Sequence, residues 1–390
     1  MFDSVPDEWR EASFASLADY ANGRAFKPKD WGEVGLPIVR IAQITNPGAE
    51  TDFYDGPVEP RHRIDDGDLI FSWSATLAVM RWSGGPAVLN QHLFKVTPAE
   101  GIDRDWLQYR LEASIPTLSD EAHGTTMKHI RKGTLISKTT RVPPIDEQRR
   151  IAKVLRSVDE VVRSSAEVAH SARNTFNRLI DALHHQNAEN TVPLSSICVP
   201  KGLQTGPFGS QLKVSDYVDG GIPVVMPSDL KPDGIDFAGA KATSYEKFAQ
   251  LKQHALEPGD ILFSRRGDVE KCGAYLEGDP AALCGTGCLR ARIDRRLADP
   301  VLIYFLVQSE VCGAWLTKHA VGVTMPNLNT SIIGALPVPN LPKAEQSQWV
   351  VALQIAEDVC RVNERLLAEL ADLKTAVADD LLSGRVRVPA

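Results

Sequence analysis

GTTMKHIRKGTLISKTTRVPPIDEQ, at residues 124–148, occurs again in altered form as GVTMPNLNTSIIGALPVPNLPKAEQ, at residues 322–346. The Thr-Met and Glu-Gln pairs of the two segments match at a single offset of 198 (324 − 126 and 345 − 147). In each copy, a long stretch with helical periodicity follows the Glu-Gln pair. The chain is therefore predicted to be an internal repeat, and each copy to consist of a globular region followed by a long helix.

The repeat extends toward the N-terminus of each copy. GDLIFS at 67–72 corresponds to GDILFS at 259–264, and GLPIV at 35–39 corresponds to GIPVV at 221–225. The offsets there are 192 (259 − 67) and 186 (221 − 35), so the loops between matched segments differ in length while the order of segments is kept. A duplicated globular region with a helix suggests two similar working ends held a fixed distance apart.

The two helical stretches have the period of a coiled coil. Apolar residues recur at steps of three and four along 151–183 and again along 352–381, and a mean step of about 3.5 is that of a supercoiled seam. Two such helices in one chain favour an antiparallel pair with a pseudo-twofold axis; ordinary packing of each amphipathic helix is the alternative. About 35 residues at about 1.5 Å each give a rod of roughly 50 Å.

Each globular region is predicted to mix short strands and helices. IVRIAQI at 38–44 has the character of a strand, and WLQYRLEAS at 106–114 that of a helix, with Pro116 disfavouring helical backbone at the residue before it. DPVLIYFLVQSEVCGAWL at 299–316 is predicted to form one helix. The predicted fold class is α+β: two mixed α/β domains separated by two long helices that form an antiparallel coiled coil. The predicted boundaries are 1–145 for the first domain, 146–187 for the central helix, 188–340 for the second domain and 341–390 for the last helix.

Composition places the chain among soluble globular proteins. It has 390 residues, 43% hydrophobic and 24% charged, which is enough for two or three ordinary domains. The N-terminus lacks the apolar segment of a secretory signal, and no stretch approaches the roughly 20 apolar residues of a membrane span. We expect a cytoplasmic protein without a membrane partner.

The six cysteines all lie in the second half, without a Cys-x-x-Cys pair. Cys284 and Cys288 are four residues apart and Cys272 is near, so a zinc site is conceivable. Small, reduced, buried cysteines are the preferred interpretation, and no metal is predicted.

The net charge of −7 argues against a uniformly basic nucleic-acid-binding surface. The segments 127–141 and 261–272 are locally basic, however, which fits an acidic scaffold that presents basic loops. The sequence contains no GxxxxGK[ST] phosphate loop and no HExxH motif. We therefore predict that this chain is not an enzyme.

Polar loops beside strands are the candidate binding residues. Arg265 and Arg266 come just past a strand, where a guanidinium fork can bind a guanine edge or two phosphates, with a surface ion pair as the alternative. At the matching position the first copy has Trp73, which either contacts a ligand or belongs to the core. Asn90 and Gln91 precede another strand and carry amides suited to adenine, or are satisfied buried polar groups.

Two further loops complete the candidate set. Gln211 follows the glycine-rich TGPFG segment and can read an adenine edge, although a plain glycine turn is the alternative. Lys128 and His129 lie in the basic TMKHIRK segment, which is predicted to grip phosphates in the first copy only, because its counterpart TMPNLNT is uncharged.

The motifs GDLIFSW, VLNQHLFKV, GTTMKHIRK, VPPIDEQRRIAKVL, TGPFGSQL, GDILFSRRGD and LLSGRV, taken in order, resemble the specificity subunit of type I DNA restriction-modification enzymes over essentially the whole chain. The resemblance implies that each globular region is a target recognition domain that reads half of a split DNA site. It implies that the helix pair sets the spacer and docks methyltransferase subunits. It also implies DNA contacts at Trp73, Asn90, Gln91, Lys128, His129, Gln211, Arg265 and Arg266.

The partners implied by the resemblance are double-stranded DNA, two methyltransferase subunits, and restriction/translocase subunits in the full complex. No cofactor is expected on this chain, and the methyltransferase partners are expected to use S-adenosylmethionine. Because the two copies differ in sequence, the DNA site should be asymmetric. A coiled-coil assembly scaffold and a single-chain DNA-modifying enzyme with an unrecognised active site are the alternative functions.

Overall fold

The internal repeat corresponds to two units of the same design in a computed structural model of the chain. The structure describes residues 8–46, 48–74, 76–119, 132–231, 234–322 and 325–389. The first unit is drawn from Met1–Ser165 and Leu366–Ala390, and the second from Ala166–Arg365. Each unit therefore combines one globular region with one part of each long helix.

The first globular region consists of short strands, mostly antiparallel, and small helices. Its described helices are α1 Phe14–Leu17, α2 Ile41–Thr45, α3 Arg104–Ser119 and α4 Lys132–Ser137. Its described strands are β1 Arg10–Ser13, β2 Ala18–Asn22, β3 Leu36–Val39, β4 Phe53–Tyr54, β5 Arg63–Ile64, β6 Leu69–Ser72, β7 Ala78–Arg81, β8 Ala87–Leu89, β9 Leu93–Pro98 and β10 Thr139–Val142. The long helix α5, Ile145–Gln186, follows.

The second globular region has a related order of elements, with twelve described strands instead of ten. Its described strands are β11 Thr191–Pro193, β12 Cys198–Thr205, β13 Tyr217–Val218, β14 Ile222–Val225, β15 Leu230–Lys231, β16 Gly234–Ile235, β17 Ala242–Thr243, β18 Asp260–Ser264, β19 Cys272–Ala274, β20 Leu283–Cys284, β21 Cys288–Ile293 and β22 Pro337–Pro339. Its described helices are α6 Tyr245–Gln250, α7 Pro300–Val307, α8 Glu310–His319 and α9 Thr330–Ala335, followed by the long helix α10, Lys343–Ser383.

The main antiparallel sheets of the two units match strand by strand. An antiparallel sheet has the order β2-β9-β6-β7 in the first unit and β12-β21-β18-β19 in the second. A second sheet contains one parallel pair, β3 with β8, which corresponds to β14 with β20. The α+β fold class is confirmed, and the repeat inferred from the sequence is a repeat of topology.

The shared Gly-Asp pair forms the tight turn that begins the inner strand of each antiparallel sheet. Gly67 and Gly259 have φ angles of 87° and 95°, a left-handed conformation that favours glycine. The next residue closes the turn with its carboxylate: Asp68 accepts a hydrogen bond from the N–H of Asp65 at 2.9 Å, and Asp260 plays the same part.

The long helices run antiparallel where they meet inside the first unit. Asp159 of α5 forms an ion pair with Lys374 of α10 at 2.6 Å. Closer to the start of α5, Glu147 binds Arg387, which lies beyond the end of α10. Within the second unit, Arg173 of α5 binds Glu364 of α10 at 2.7 Å. Supercoiling of the pair stays a prediction.

A buried glutamine ties each long helix to its own globular region. Gln148 donates to the carbonyls of Gly101 and Pro143, and its side-chain oxygen accepts the N–H of Asp103 at 2.7 Å. Gln346 repeats the pattern in the second unit. We call Gln148 and Gln346 the junction glutamines. Their bonds explain why the glutamine of the Glu-Gln pair is shared by both copies.

Three local predictions from the sequence are wrong. Residues 38–44 are not one strand: β3 ends at Val39, and α2 begins because the N–H of Arg40 is capped by the side chain of Gln43 at 2.9 Å. The helix over 106–114 does not end before Pro116 but runs to Ser119. Burial of Leu118 offsets the backbone hydrogen bond that proline cannot donate.

The predicted single helix at 299–316 is two helices, because Ser309 caps the second of them. Its hydroxyl accepts the N–H of Cys312 at 3.1 Å, and the two axes differ by 69°. Among the described residues no single helix is both long and apolar enough to cross a bilayer, whereas the bent pair α7–α8 would pass by length and composition.

The cysteines near the proposed zinc spacing are buried in the second globular region. Burial raises the pKa of the Cys272 and Cys284 thiols to about 12 and that of the Cys288 thiol well above its usual value. Their burial agrees with the interpretation as small buried cysteines.

His184, near the end of α5, makes the stability of the second unit sensitive to acid. It is buried, with Nε2 3.0 Å from the hydroxyl of Ser309 and 3.1 Å from the carbonyl of Leu306. Burial lowers the pKa of His184 below its usual 6.5, against an opposing effect of Asp181. The folded state therefore binds fewer protons than the unfolded state once the pH falls below about 6.5.

We expect the free energy of unfolding to fall as the pH is lowered from 7.5 to 5.5, by at most about 1.4 kcal/mol per pH unit from this group. Urea unfolding at several pH values measures it. His184→Gln should flatten the slope below pH 6.5, while His254, whose pKa burial also lowers, contributes equally in both proteins. An identical slope in the variant would contradict the assignment to His184.

Candidate nucleic-acid interface

Two loops lie side by side at corresponding places in both units. The first, which we call the strand-end loop, consists of residues 73, 74 and 76 after β6 and of residues 265–268 after β18. The second, the bridge loop, follows β8 at 90–92 and β20 at 285–287. The two bridge loops make corresponding backbone hydrogen bonds. The N–H of Asn90 donates to the carbonyl of Val39, and the N–H of Gly285 donates to the carbonyl of Val225, both at 2.9 Å.

In the first unit the two loops meet through aromatic contacts. The ring of Trp73 lies 5.8 Å from that of His92 and 5.8 Å from that of Phe94, centroid to centroid. Trp73 is half-buried against the core, so both of its sequence interpretations describe part of its environment. The structure thus brings the predicted residues Trp73, Asn90 and Gln91 into neighbouring loops.

The two amides of this bridge loop differ in exposure. Asn90 is buried, and its side-chain oxygen accepts the N–H of His92 at 3.3 Å, so it stabilises its own turn. Gln91 is exposed, with its amide nitrogen 3.3 Å from Nε2 of His92. Of the two, Gln91 is the side chain that is open to a ligand, and a DNA contact at either residue stays a prediction.

In the second unit the strand-end loop carries the two arginines. The N–H of Arg265 donates to Gly287 at 2.8 Å, which joins this loop to the bridge loop. Arg265 is half-buried, and its Nε has no hydrogen-bond partner among the described residues. Arg266 is exposed and pairs through its backbone with Asn327. Neither arginine forms an ion pair within the described part of the chain, which weakens the surface ion-pair alternative.

A third loop joins this surface in the second unit. The N–H of Gly206 donates to Cys288 at 3.1 Å, and a side chain at Gly206 would meet the carbonyl of Gly285 at 1.8 Å. Only glycine allows so close an approach. Gln211, five residues on, closes the loop by accepting the N–H of Phe208 at 3.0 Å. The side-chain oxygen of Gln211 therefore stabilises its own turn, which is a structural role. A contact of Gln211 with an adenine edge stays a prediction.

Sequence reasoning missed three exposed or partly exposed residues at this surface. Phe208 and Met325 are each 61% exposed, on the loop of Gln211 and on the segment that pairs with Arg266, respectively. Thr286 occupies the place of Gln91 in the bridge loop. Aligning LNQHLFKV with CGTGCLRARI would have identified Thr286 as the counterpart of Gln91. The only feature that supports this alignment is the strand pattern of both segments. Lys128 and His129 lie outside the described residues.

The loops of the two units offer different chemistry on one framework. The first presents an aromatic ring and an exposed amide, and the second presents two guanidinium groups beside a glycine bridge. Guanidinium groups favour guanine edges and phosphates, whereas an amide favours adenine. Among the described residues no group of three or more His, Cys, Asp and Glu side chains is arranged to hold a metal ion.

This fold and these loops define a class: a duplicated α+β protein in which two similar frameworks carry different side chains. Residues 6–168 match the family model described as the type I restriction modification DNA specificity domain. The resemblance of the chain to type I specificity subunits is thereby confirmed.

Full-length relatives agree with this family. The chain is 21% identical over 379 residues to the type I restriction enzyme EcoBI specificity subunit of Escherichia coli, covering 89% of this chain and 79% of the relative. The MjaVIII specificity subunit of Methanocaldococcus jannaschii is 19% identical over 341 residues, covering 83% and 80%.

Solved structures share the fold along the chain. The S subunit of a type I restriction-modification system from M. genitalium has a TM-score of 0.57 at 13% identity and covers 98% of this chain and 97% of its own. A structure from work on complex assembly and conformational transition of the type I R-M system has a TM-score of 0.60 at 19% identity, covering 98% and 100%.

Proposed function

We propose that this chain is the DNA-recognition subunit of a type I restriction-modification complex, and that each globular region reads one half of a bipartite, asymmetric site in the major groove. The observation that carries the proposal is the pair of equivalent loop frameworks with different side chains. Base-edge contacts specify a sequence and phosphate contacts position the protein. One backbone design with two side-chain sets suits the reading of two different half-sites.

In this proposal the second unit reads guanine through Arg265 and Arg266, and Gln211 contributes from the adjoining loop. The first unit reads its half-site through Gln91, Asn90 and Trp73. Lys128 and His129 bind the DNA backbone in the first half-site. Affinity from such phosphate contacts falls steeply with salt, whereas the base preference does not.

We further propose that the helix pair sets the spacer between the half-sites and docks two methyltransferase subunits. Support comes from an exposed apolar stripe on the part of α10 in the second unit, formed by Val351, Ile355, Val359 and Val362. A row at steps of four and three is the surface that a partner helix covers. At the matching offset of 198, α5 carries a more polar row: Lys153, Ser157, Val161 and Ser164.

Chemistry is assigned to the partners in this proposal. The methyltransferase subunits use S-adenosylmethionine to modify the recognised bases, and restriction/translocase subunits join the full complex. This chain binds no cofactor and contributes position and sequence choice. Methyl transfer to DNA by the purified chain alone would instead support the single-chain enzyme, and failure to bind any duplex together with a methyltransferase would support the scaffold.

Arg265→Ala tests the function directly. We expect the methylation pattern of host DNA, read by methylation-sensitive sequencing, to relax at one position of one half-site. The discrimination lost should be about 1–3 kcal/mol, or roughly 5- to 150-fold, if Arg265 holds a guanine edge. The other half-site should be unchanged, because its side chains belong to the other unit.

Arg296→Ala is the matched control. Arg296 is an exposed arginine of the same unit that binds Asp294 at 2.6 Å, just past the opposite end of β21 from the bridge loop. It should leave the pattern intact. Uniform weakening at all sequences in Arg265→Ala would make Arg265 a phosphate contact, and a pattern that is the same with and without this chain would contradict the proposed function.

A further inference from the structure

A cavity of about 580 Å³ lies in the second unit, at the base of α10. Its walls come from Gly259, Ala274, the Pro300-Val301 pair that begins α7, Tyr304 and Lys343. Small-molecule sites have volumes of about 300–1,000 Å³ and mostly apolar walls. The cavity therefore has the size and the lining of a ligand site, and it lies apart from the strand-end and bridge loops.

The repeat identifies the residues at the same place in the first unit. The strand register puts Arg81 where the second unit has Ala274. The junction glutamines bond to the N–H groups of Asp103 and Asp299 in the two units. The residues two positions further on, Asp105 and Val301, therefore correspond as well.

In the first unit this place is filled by charged side chains. Asp105 forms ion pairs with Arg81 and with Arg156, the second at 3.0 Å. Arg104, in the position of Pro300, donates to the carbonyl of Gly67 at 3.0 Å. The second unit replaces this cluster with alanine, proline and valine, and the shared backbone encloses an open, apolar space instead.

The rim of the cavity carries two cations, Arg295 and Lys343, and two carboxylates, of which Asp299 is engaged as the cap of α7 and accepts the N–H of Val301 at 2.9 Å. Lys343 donates to the carbonyl of Arg295 at 2.7 Å, and Arg295 donates to that of Pro258 at 2.6 Å. An ammonium has three donors and a guanidinium five, so both groups have N–H donors beyond these bonds. Glu277 is the other carboxylate, and Leu276, 51% exposed, adds apolar surface beside it.

We propose that this cavity binds a small amphiphilic anion, with an apolar body against Pro300, Val301 and Tyr304 and an acidic group at Arg295 and Lys343. The site goes beyond DNA recognition. Lys343 begins α10, and the junction glutamine Gln346 lies on the next turn of the same helix. A ligand bound at Lys343 therefore adds contacts between the helix and the globular region. Ligand binding to the folded state alone then stabilises that junction.

The test is a fluorescence titration of the full chain with two probes of one shape. Anilinonaphthalene sulfonate carries an acidic group, and N-phenyl-1-naphthylamine has the same aromatic body without it. We expect one saturable site that binds the sulfonate at least about fivefold more tightly than the amine. Ala274→Arg with Val301→Asp copies the ion pair of the first unit and should weaken the binding of both probes at least tenfold.

Lys343→Ala separates the charge from the cavity. It should remove the preference for the sulfonate and leave the affinity for the amine unchanged, with circular dichroism and the urea midpoint reporting that the fold is intact. Unchanged sulfonate binding in the folded double variant would overturn the proposal. If the double variant does not fold, equal affinities of the parent protein for the two probes, or no effect of Lys343→Ala on their ratio, would overturn it as well.

Discussion

Gln346→Ala is expected to lower the free energy of unfolding by about 3 kcal/mol, because it removes three hydrogen bonds to backbone groups, one of them buried and two partly buried. Gln346 accepts the N–H of Asp299 at 2.8 Å and donates to the carbonyls of Leu297 and Leu341 at 3.1 and 2.8 Å. A buried polar group that loses its partner costs about 1–3 kcal/mol. Urea unfolding followed by tryptophan fluorescence measures the loss.

Gln348→Ala is the control, since this glutamine lies on the same helix and is exposed. It should change the free energy of unfolding by no more than about 0.5 kcal/mol. Gln148→Ala should reproduce the large loss in the first unit. A loss below 1 kcal/mol in both junction variants would show that water or neighbouring groups satisfy the freed backbone atoms.

Glu147→Ala is expected to cost about 2–3 kcal/mol, although the corresponding Glu345→Ala should be nearly neutral. Glu147 is 2% exposed. It accepts the indole N–H of Trp9 at 3.1 Å and an N–H of Arg387 at 2.9 Å. The unpaired indole accounts for most of the expected loss, because Arg387 is 43% exposed and water screens its charge.

The comparison with Glu345 separates the effect of burial on stability from the effect of the residue type. Both acids stand in the same motif, but Glu345 is exposed. A double-mutant cycle of Glu147→Ala with Arg387→Ala measures the ion pair itself, for which we expect a coupling of about 1 kcal/mol. Equal losses for Glu147→Ala and Glu345→Ala would contradict the structural difference between the copies.

The features that the sequence predicts best are those repeated in it. The Gly-Asp turn, the inner strands and the long helices recur with the same periodicity, and each has a local physical cause, such as the left-handed glycine at Gly67. The match between copies fixes their order even where loop lengths differ. Fold class and family could therefore be predicted from the sequence.

Local structure that depends on one side chain or on distant packing could not be predicted in the same way. The apolar pattern of 38–44 is that of a strand, yet the side chain of Gln43 caps a helix there. The pattern of 299–316 is that of one helix until the hydroxyl of Ser309 caps a second. Pro116 is tolerated only because the helix around it packs on the core.

The candidate site was predicted in part. Arg265 and Arg266 do lie beside the bridge loop, but the equivalence of Gly285–Gly287 with Asn90–His92 is carried by backbone hydrogen bonds and not by shared letters. Burial of Asn90 likewise depends on a strand that is distant in sequence. The loop side chains differ between the two copies, so comparison of the copies cannot identify them.

The junction glutamines suggest how such a protein can diversify. Every partner of Gln148 in its globular region is a backbone atom, at Gly101, Asp103 and Pro143, and the same holds for Gln346. The hydrogen bonds of the junction glutamines therefore do not depend on which side chains the globular region carries. Genes that recombine at the Glu-Gln codons would therefore keep the bonds of the glutamine when a foreign globular half joins a resident helix, and in the first unit the incoming half would also need an indole for Glu147, as Trp9 supplies here.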